Sequence, residues 1–385
     1  MRRAEAVSLR PPWGSWRYGL WALVMLWVVP ASGAAEPALR LTLPPEIAAV
    51  VGVEMNVYFA NVILSENPEA WSFHVTCPLG NTDARRWHVT ATDGQAGSYP
   101  FALTVKNSAG EVVVQGSTQL RVVPASAGQG RAVRLLIVGD SLTAASQYPA
   151  SLARLLARPG NPSWEMLGTQ RRPGPPPGVA HEGYGGWTWR AFNTYVATTP
   201  PGPGRPARSP FVFAGAPSES PQLDVSRYVA ETLGGQPPDY VTFLLGINDC
   251  FGLKASDSRA LDAGIDAVFR EADRLLAEFR RVAPQARLGV CLTPPPNDRE
   301  SAFQANYQDK YRRWNWRQVQ HRLVERQLQH FQGRGSENIQ LVATELNLDT
   351  LHGYPDNNAV HPNAAGYEQI GATIYSWLKA DLARD

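Results

Sequence analysis

Four short polar segments, well separated along the chain, carry side chains that can catalyse substitution at a carbonyl group. They read Gly-Asp-Ser-Leu-Thr at 139–143, His-Glu-Gly-Tyr-Gly-Gly-Trp-Thr-Trp at 181–189, Gly-Ile-Asn-Asp at 246–249 and His-Pro-Asn at 361–363. A serine hydroxyl is a poor nucleophile until a base such as imidazole, whose pKa lies near ~6.5, accepts its proton. Backbone and amide N–H groups can then stabilise the oxyanion that forms. Together the segments hold the groups that acyl transfer through a serine requires.

Each segment also has a simple structural explanation when it is taken alone. Asp140, Ser141 and Asn248 are of residue types that commonly cap helices or form turns. A histidine beside a proline at a helix start, such as His361, is most often a surface or capping residue. The glycines at 185–186 allow close approach of a ligand to the backbone, and are equally compatible with an ordinary loop. The functional prediction therefore depends on the combination.

The elements that must position these residues alternate between strands and helices. Strands are predicted at 133–138, 240–245, 286–292 and 339–343, and helices at 148–157, 259–281, 307–331 and 364–382. The strands are nearly continuous apolar runs, as expected when both faces of a sheet are covered. The pattern predicts an α/β domain with a parallel sheet, and sites in such sheets lie at the carboxyl ends of the strands. The first two strands lead directly into Ser141 and Asn248.

The ordered set of segments resembles the four sequence blocks of the SGNH (GDSL) hydrolase superfamily. The matching residues are Ser141 in Gly-Asp-Ser-Leu, Gly186, Asn248 in Gly-x-Asn-Asp and His361 in His-Pro-Asn, and the resemblance covers residues 131–385. It implies a flavodoxin-like three-layer α/β fold and a serine hydrolase of carboxylic esters. The Gly-x-Ser-x-Gly elbow of the α/β-hydrolases is absent from the sequence, which argues against that other serine-esterase fold.

The resemblance also implies a role for each matching residue. Ser141 would be the nucleophile that forms an acyl-enzyme, and His361 the general base for attack and general acid for the leaving alcohol. The oxyanion hole would comprise the backbone N–H groups of Ser141 and Gly186 and the side-chain amide of Asn248. Removal of one such donor typically costs roughly 10²–10³ in rate. No metal or organic cofactor is implied.

One position departs from the family pattern, which usually has Asp three residues before the histidine. Here that residue is Asn358, in Asp-Asn-Asn-Ala-Val-His at 356–361. Its carbonyl oxygen can accept the imidazole N–H and orient the ring, but it lacks the negative charge that stabilises an imidazolium. Asp356 or a backbone carbonyl could also orient the ring. We favour a Ser141–His361 dyad with Asn358 as the orienting group.

Residues 37–123 have the pattern of a small all-β domain. Short alternating stretches are predicted as strands at 39–43, 54–59, 71–75, 87–91, 101–105, 112–115 and 118–122. About seven short strands at this spacing indicate an immunoglobulin-like sandwich. The Pro-, Gly- and Ser-containing stretch at 124–130 is interpreted as a flexible linker to the hydrolase domain at 131–385.

Residues 1–33 read as a secretory signal peptide. A basic region precedes an apolar run at 20–29, and small residues that suit cleavage follow. The run is short for a membrane span, although an uncleaved N-terminal anchor is the alternative. The segment carries four Arg and one Glu, so its removal would change the formal net charge from +2 to −1. We therefore expect a secreted or periplasmic protein with no nucleic-acid partner and no stable membrane span after cleavage.

The sequence has three cysteines, Cys77, Cys250 and Cys291. A low and odd number of cysteines argues against a disulfide framework. A single bridge between Cys250 and Cys291 is possible, and buried free thiols are the favoured interpretation. No His/Cys cluster has the spacing of a zinc site.

The substrate is less well specified than the reaction. Pro- and Gly-rich regions at 158–180 and 198–222 flank the second segment and could form the walls of a pocket beside Ser141. Trp187 and Trp189 could form a stacking platform for a sugar ring, or could pack in the core. With export, these features favour an acetylated polysaccharide as substrate. The alternatives are a lipase, thioesterase or arylesterase of the same superfamily, an O-acetyl transferase, and a non-catalytic glycan-binding or adhesion protein.

Overall fold

A computed structural model of the protein describes residues 39–174, 176–202, 206–215 and 220–384. The predicted signal peptide at 1–33 lies outside these residues.

The first part of the described chain forms two small sheets around a shared apolar core. Its elements are β1 (Glu46–Val50), β2 (Glu54–Tyr58), α1 (Phe59–Val62), a 3₁₀ turn (Pro68–Ala70), β3 (Ser72–Thr76), β4 (Asn81–Thr82), β5 (Arg86–Thr90), β6 (Gly97–Lys106) and β7 (Val112–Val123). One sheet has the order β1-β7-β6-β3 and the other β2-β5-β4. Met55 and Trp87 from one sheet meet Phe101 and Leu120 from the other in the core.

One predicted strand and one predicted break between strands in this region are wrong. Residues 39–43 form no strand; Leu41 makes an isolated bridge to Ile63, and the first strand of the described chain is β1, which was not predicted. The predicted strands at 112–115 and 118–122 are one strand, β7, because Gly116 continues the pairing with Leu103 of β6. The side chain of Leu41 covers this glycine, so an apparent turn residue is a packing site.

The second part of the chain is an α/β region that contains the four polar segments. Its elements are β8 (Ala132–Gly139), α2 (Ser141–Ala144), α3 (Gln147–Leu156), β9 (Ser163–Leu167), β10 (Gln170–Arg171), β11 (Ala180–Gly183), α4 (Trp189–Thr194), β12 (Val212–Phe213), β13 (Gln222–Leu223), α5 (Val225–Thr232), β14 (Tyr240–Leu244), α6 (Ile247–Cys250), α7 (Ser258–Val282), β15 (Arg287–Cys291), α8 (Glu300–Tyr307), α9 (Arg313–Phe331), a 3₁₀ turn (Arg334–Glu337), β16 (Ile339–Val342) and α10 (Ala364–Leu382).

The main sheet of this region is parallel except at one edge. Its order is β10-β11-β8-β14-β15-β16, with β9 also paired to β8, and only the β10–β11 pair is antiparallel. The parallel strands β11, β8, β14, β15 and β16 have the flavodoxin-like order, whose switch point lies between β8 and β14. Ligands in such folds bind at the carboxyl ends of the strands at this switch point. Ser141 follows β8 there, and Asn248 follows β14.

Helices cover both faces of this sheet, as the buried apolar strands require. On one face, Trp377 of α10 packs edge-on against Tyr240 of β14, with ring centroids 5.7 Å apart. On the other, Phe279 of α7 packs against Phe243 of the same strand at 5.5 Å. The sheet is therefore the middle layer of three.

The β-rich region and the α/β region contact each other through buried polar groups. The Arg317 guanidinium donates to backbone carbonyls of Ala60, Asn61 and Ile63, and the Asn61 amide donates to the carbonyl of Glu345. Residues 124–130, predicted as a flexible linker, form consecutive hydrogen-bonded turns. The chain from Leu39 onward is one compact unit. The predicted boundary between two domains at residues 124–130 stays a prediction.

Two further properties bear on the predictions. Among the described residues, no helix has both the length and the apolar character needed to traverse a membrane. Cys250 and Cys291 are buried free thiols, and Cys77 is a half-buried one.

Candidate active site

Ser141 is held at the carboxyl end of β8 by the residues that precede it. Asp140 caps α2, since its Oδ1 accepts the N–H of Leu142 at 3.0 Å. A Cβ on Gly139 would lie 1.9 Å from Oγ1 of Thr143, so only glycine lets the helix fold back over the end of the strand. Ser141 is the first residue of α2, where an N–H has no partner within the helix. The Gly-Asp-Ser sequence thus places a half-buried serine at a helix start, and among the described residues no acceptor is found for its backbone N–H.

The structure brings the hydroxyl of Ser141 and the ring of His361 together across 220 residues of chain. Oγ of Ser141 lies 2.8 Å from Nε2 of His361. His361 precedes α10, whose N-terminus is capped by Asn363 through the N–H of Gly366 at 3.1 Å. This is the hydrogen-bond distance that proton transfer from serine to histidine requires.

Asn358 determines which nitrogen of His361 carries the proton. Its Oδ1 accepts the backbone N–H groups of His361 at 3.0 Å and Val360 at 3.3 Å, and lies 3.2 Å from Nδ1 of the imidazole. A carbonyl oxygen can only accept, so Nδ1 must be the protonated nitrogen in the neutral ring. The lone pair of Nε2 is then left to accept the proton of Ser141.

Asp356, the other side chain considered for orienting His361, is paired with Arg299 instead. Its carboxylate lies 3.3 Å from Nε of Arg299 and is 87% exposed. Of the two side chains considered, the structure brings Asn358 to His361.

Two asparagines that the sequence did not single out hold the loop that carries Asn358. Asn297 is fully buried, and its amide donates to the carbonyls of Pro355 at 2.9 Å and Asn358 at 3.0 Å. Oδ1 of Asn306 accepts the N–H of Ala359 at 2.7 Å. The signal that could have revealed Asn297 is its position after Pro-Pro-Pro, beyond the carboxyl end of β15.

Burial sets the protonation of the groups around this site. It lowers the pKa of His361 below the usual 6.5, so the imidazole is neutral and able to accept a proton at pH 7. Burial also raises the pKa of Asp140 to about 7 and that of Asp249 to about 7. The carboxyl groups next to Ser141 and Asn248 along the chain thus carry less negative charge than exposed aspartates would.

Gly186 lies in a tight turn just beyond β11. The N–H of Trp187 donates to the carbonyl of Tyr184 at 3.2 Å, which closes the turn, and Gly186 has φ of 80°. A positive φ at this position is the conformation that a type II turn requires of glycine. In the part of the chain that the structure describes, no acceptor for the Gly186 N–H is found.

Asn248 is tied to the same turn. Its Nδ2 donates one hydrogen to the carbonyl of Trp187 at 3.0 Å, which leaves the second N–H of the amide for another acceptor. The structure therefore brings two of the three predicted oxyanion donors, Gly186 and Asn248, to one loop at the switch point of the sheet.

The predicted tryptophan platform is wrong. Trp189 is only 2% exposed, and its ring is stacked on Phe243 of the central sheet at 5.4 Å. Trp187 is 8% exposed and stacks on Tyr184 at 4.4 Å. Because both side chains are buried and each is stacked on a neighbouring aromatic ring, they do not form an open platform for a sugar.

An open cleft of about 480 Å³ lies beside the turn that contains Gly186. Ala144 of α2 lines it, together with Gln170 and Pro206 from the two Pro- and Gly-rich regions. Both regions thus contribute to a cleft next to the helix that Ser141 opens. Within the described ranges, no group of three or more His, Cys, Asp or Glu side chains is arranged to bind a metal.

Comparison with known proteins identifies the family of the chain. Residues 137–369 match the sequence model of the GDSL-like lipase/acylhydrolase family, a span that contains Ser141, Gly186, Asn248, Asn358 and His361. No curated protein matches the sequence.

Solved structures to which the chain is similar include three esterases. A family 3 carbohydrate esterase from Clostridium thermocellum has 19% identity and a TM-score of 0.41, over 66% of this chain and 100% of that one. A carbohydrate acetylesterase from Sinorhizobium meliloti has 15% identity and a TM-score of 0.37, over 64% and 99%. An aryl esterase from M. smegmatis has 15% identity and a TM-score of 0.36, over 64% and 99%. Because the family match spans more than half of the sequence, the chain belongs to the GDSL-like lipase/acylhydrolase family and is a serine ester hydrolase.

Proposed function

We propose that the protein is an exported esterase that removes acetyl groups from a carbohydrate, through an acyl-enzyme on Ser141. The observation that carries the proposal is the 2.8 Å contact between Oγ of Ser141 and Nε2 of His361, in a ring whose Nδ1–H points to Asn358. The nucleophile and its base are in place, and the base has the tautomer that attack needs.

In the first half of the reaction, Oγ of Ser141 bonds to the ester carbonyl carbon while its proton moves to Nε2 of His361. The tetrahedral intermediate then breaks its bond to the alkoxy oxygen, which takes the proton from Nε2 and leaves as the alcohol. In the second half, water attacks the acyl carbon, gives its proton to His361, and the acid departs as Ser141 regains the proton.

The negative charge of both intermediates falls on the former carbonyl oxygen. The N–H groups of Ser141 and Gly186 and the free amide hydrogen of Asn248 would bind it. Each donor is held before the substrate arrives, by the cap on α2, by the turn and by the contact with Trp187, so little reorganisation is needed.

Support for a carbohydrate comes from the cleft and from the N-terminal sequence. The residues that line the cleft beside Gly186 include Gln170 and Tyr195, a mixture of polar and aromatic residue types that suits a sugar. The basic, apolar and small-residue pattern of residues 1–33 supports export to a compartment where polysaccharides occur. Within this proposal, the two sheets of residues 46–123 constitute an immunoglobulin-like module that accompanies the esterase.

The test uses the full mature chain with p-nitrophenyl acetate and with acetylated xylan, beside Ser141→Ala. We expect acetate release from both substrates that Ser141→Ala abolishes. Hydrolysis of p-nitrophenyl esters with no release from xylan would refute the carbohydrate assignment, and a preference for p-nitrophenyl octanoate over acetate would refute the acetyl assignment. Absence of any Ser141-dependent hydrolysis would favour a binding protein.

A further inference from the structure

Strand β11, which leads into the Gly186 turn, has little support from its own backbone. It pairs with β8 at only two positions, Glu182 with Val138 and Gly183 with Gly139, and with the two-residue strand β10 on the other side. Side chains must therefore supply much of what fixes the turn.

Glu182 is the most extensively bonded side chain of this strand. It is fully buried, and its carboxylate accepts four hydrogen bonds. Thr169 donates its N–H at 2.8 Å and its hydroxyl at 2.7 Å, Tyr184 donates its hydroxyl at 2.6 Å, and Tyr228 donates its hydroxyl at 2.8 Å. A buried carboxylate is tolerated when its oxygens are this fully satisfied. The carboxylate thus joins β11 to the loop after β9 and to α5.

Tyr184 connects this carboxylate to the two oxyanion donors. Its carbonyl accepts the N–H of Trp187 and so closes the turn that contains Gly186. Its ring stacks on the indole of Trp187, and the carbonyl of Trp187 accepts the amide of Asn248. A shift of the Tyr184 ring would therefore move both donors.

The other side of β11 is fixed by a second Ser–His pair. Nδ1 of His181 accepts the N–H of Gly183 at 3.1 Å, so Nε2 carries the ring proton and donates to Oγ of Ser146 at 2.7 Å. In this tautomer Nε2 has no lone pair with which to activate Ser146. Burial lowers the pKa of His181 to about 4, which keeps the ring neutral. This pair is structural, and Glu182 is the residue of the strand whose side chain bonds to Tyr184 of the turn.

We propose that Glu182 is a positioning residue for the oxyanion hole, which it holds in place through the hydroxyl and ring of Tyr184. The proposal rests on the assignment of Gly186 and Asn248 as oxyanion donors in the proposed function. Glu182 itself touches no substrate.

A matched pair of variants separates positioning from stability. Tyr184→Phe and Tyr228→Phe each remove one hydroxyl from the same buried carboxylate, but only Tyr184 belongs to the turn. We expect similar losses in Tm from both. Tyr184→Phe should lower kcat for p-nitrophenyl acetate about tenfold with KM unchanged within about threefold, since complete loss of a donor costs roughly 10²–10³. Tyr228→Phe should keep kcat within about twofold.

A second measurement is the rate at which diethyl p-nitrophenyl phosphate inactivates Ser141. This probe needs the serine, its base and the oxyanion donors but no acetyl or sugar group, so it reports on the hole even if acetylated xylan is not a substrate. Tyr184→Phe and Glu182→Gln should slow inactivation about tenfold, and Tyr228→Phe should not. Equal effects of the two tyrosine variants, in proportion to their losses in Tm, would overturn the proposal, as would a wild-type rate in Tyr184→Phe.

Discussion

Replacement of Asn358 by aspartate should place a negative charge beside His361, the proposed general base, and change the pH dependence of the enzyme. Oδ1 of Asn358 already accepts the N–H groups of Val360 and His361 and faces Nδ1 of the imidazole at 3.2 Å. Nδ2 of Asn358 donates to no acceptor among the residues that the structure describes. Asn358→Asp therefore keeps these contacts and loses none, so the main change is a negative charge beside the ring.

The magnitude follows from the distance and the burial. Charges about 4 Å apart interact by about 4 kcal/mol at an effective dielectric constant of 20, and a neighbouring opposite charge shifts a pKa by about 1–3 units. Because His361 and residue 358 are half-buried, we expect the pKa of His361 to rise by about 1–2 units. This is about 1.4–2.7 kcal/mol in favour of the imidazolium. With the charge about half developed in the transition state, the barrier falls by about 0.7–1.4 kcal/mol, or about 3–10-fold in rate.

The assay is the pH profile of kcat/KM for p-nitrophenyl acetate. Only neutral His361 can accept the proton of Ser141, so the rate falls as pH drops through the pKa of the folded enzyme, which burial places below 6.5 in the wild type. In Asn358→Asp this acidic limb should move to higher pH by about 1–2 units while the plateau rises by about 3–10-fold. The two profiles should therefore cross.

The matched control is Asp356→Asn, which removes a charge two residues away at a side chain that is 87% exposed and paired with Arg299. We expect its pH profile to coincide with that of the wild type. An unchanged acidic limb in Asn358→Asp, or a limb that moves in Asp356→Asn, would refute the assignment of Asn358 as the orienting group.

The remaining predictions concern the base, the oxyanion donors, the supporting loop and a buried acid. His361→Ala should abolish ester hydrolysis, and a residual Ser141-dependent rate near that of the wild type would contradict its role. Asn248→Ala should lower kcat by roughly 10²–10³ with little change in KM, as measured by steady-state kinetics. Asn297→Ala removes both bonds to the 355–358 segment and should lower kcat about tenfold by misplacing Asn358; a change confined to Tm would argue against this. Burial raises the pKa of Glu345 to about 8, so the folded state holds a proton that the unfolded chain releases near pH 4.5. Wild-type stability relative to Glu345→Gln should therefore fall by up to about 1.4 kcal/mol per pH unit from pH 4.5 to 8 and then level off, as followed by urea unfolding.

The parts of the site that the sequence could predict are those that simple topology brings together. Ser141 follows an apolar run and His361 precedes a strongly helical stretch, and parallel strands place their carboxyl ends at one edge of the sheet. The helix at 364–382 has the predicted bounds because its cap, Asn363, and its periodicity are both local. These features need only short-range information.

The parts that the sequence could not predict depend on side chains that are distant along the chain. Asn297 bonds to the carbonyl of Asn358, and Asn306 accepts the N–H of the next residue. These contacts fix the loop in the conformation in which Asn358, and not Asp356, faces His361. Strand β11, with the sequence Ala-His-Glu-Gly, reads as a polar loop and is nevertheless buried, because its polar side chains find partners elsewhere in the fold. The local order of polar and apolar residues cannot predict hydrogen-bond partners that are distant along the chain.

Because Asn358 is neutral, the proposed mechanism depends less on stabilising the imidazolium of His361 and more on stabilising the oxyanion. Asn358 fixes the tautomer of His361 but cannot stabilise the imidazolium that forms during attack. In the proposed mechanism, transition-state stabilisation then comes mainly from the donors at Ser141, Gly186 and Asn248, where the negative charge would develop. This unequal division explains why an added charge at 358 is expected to accelerate the reaction by only about tenfold at most, whereas loss of the Asn248 amide should cost roughly 10²–10³. It also gives a reason for the buried carboxylate of Glu182, which accepts four hydrogen bonds and is bonded to Tyr184 of the Gly186 turn. The oxyanion donors provide most of the proposed stabilisation, so their positions must be fixed most firmly.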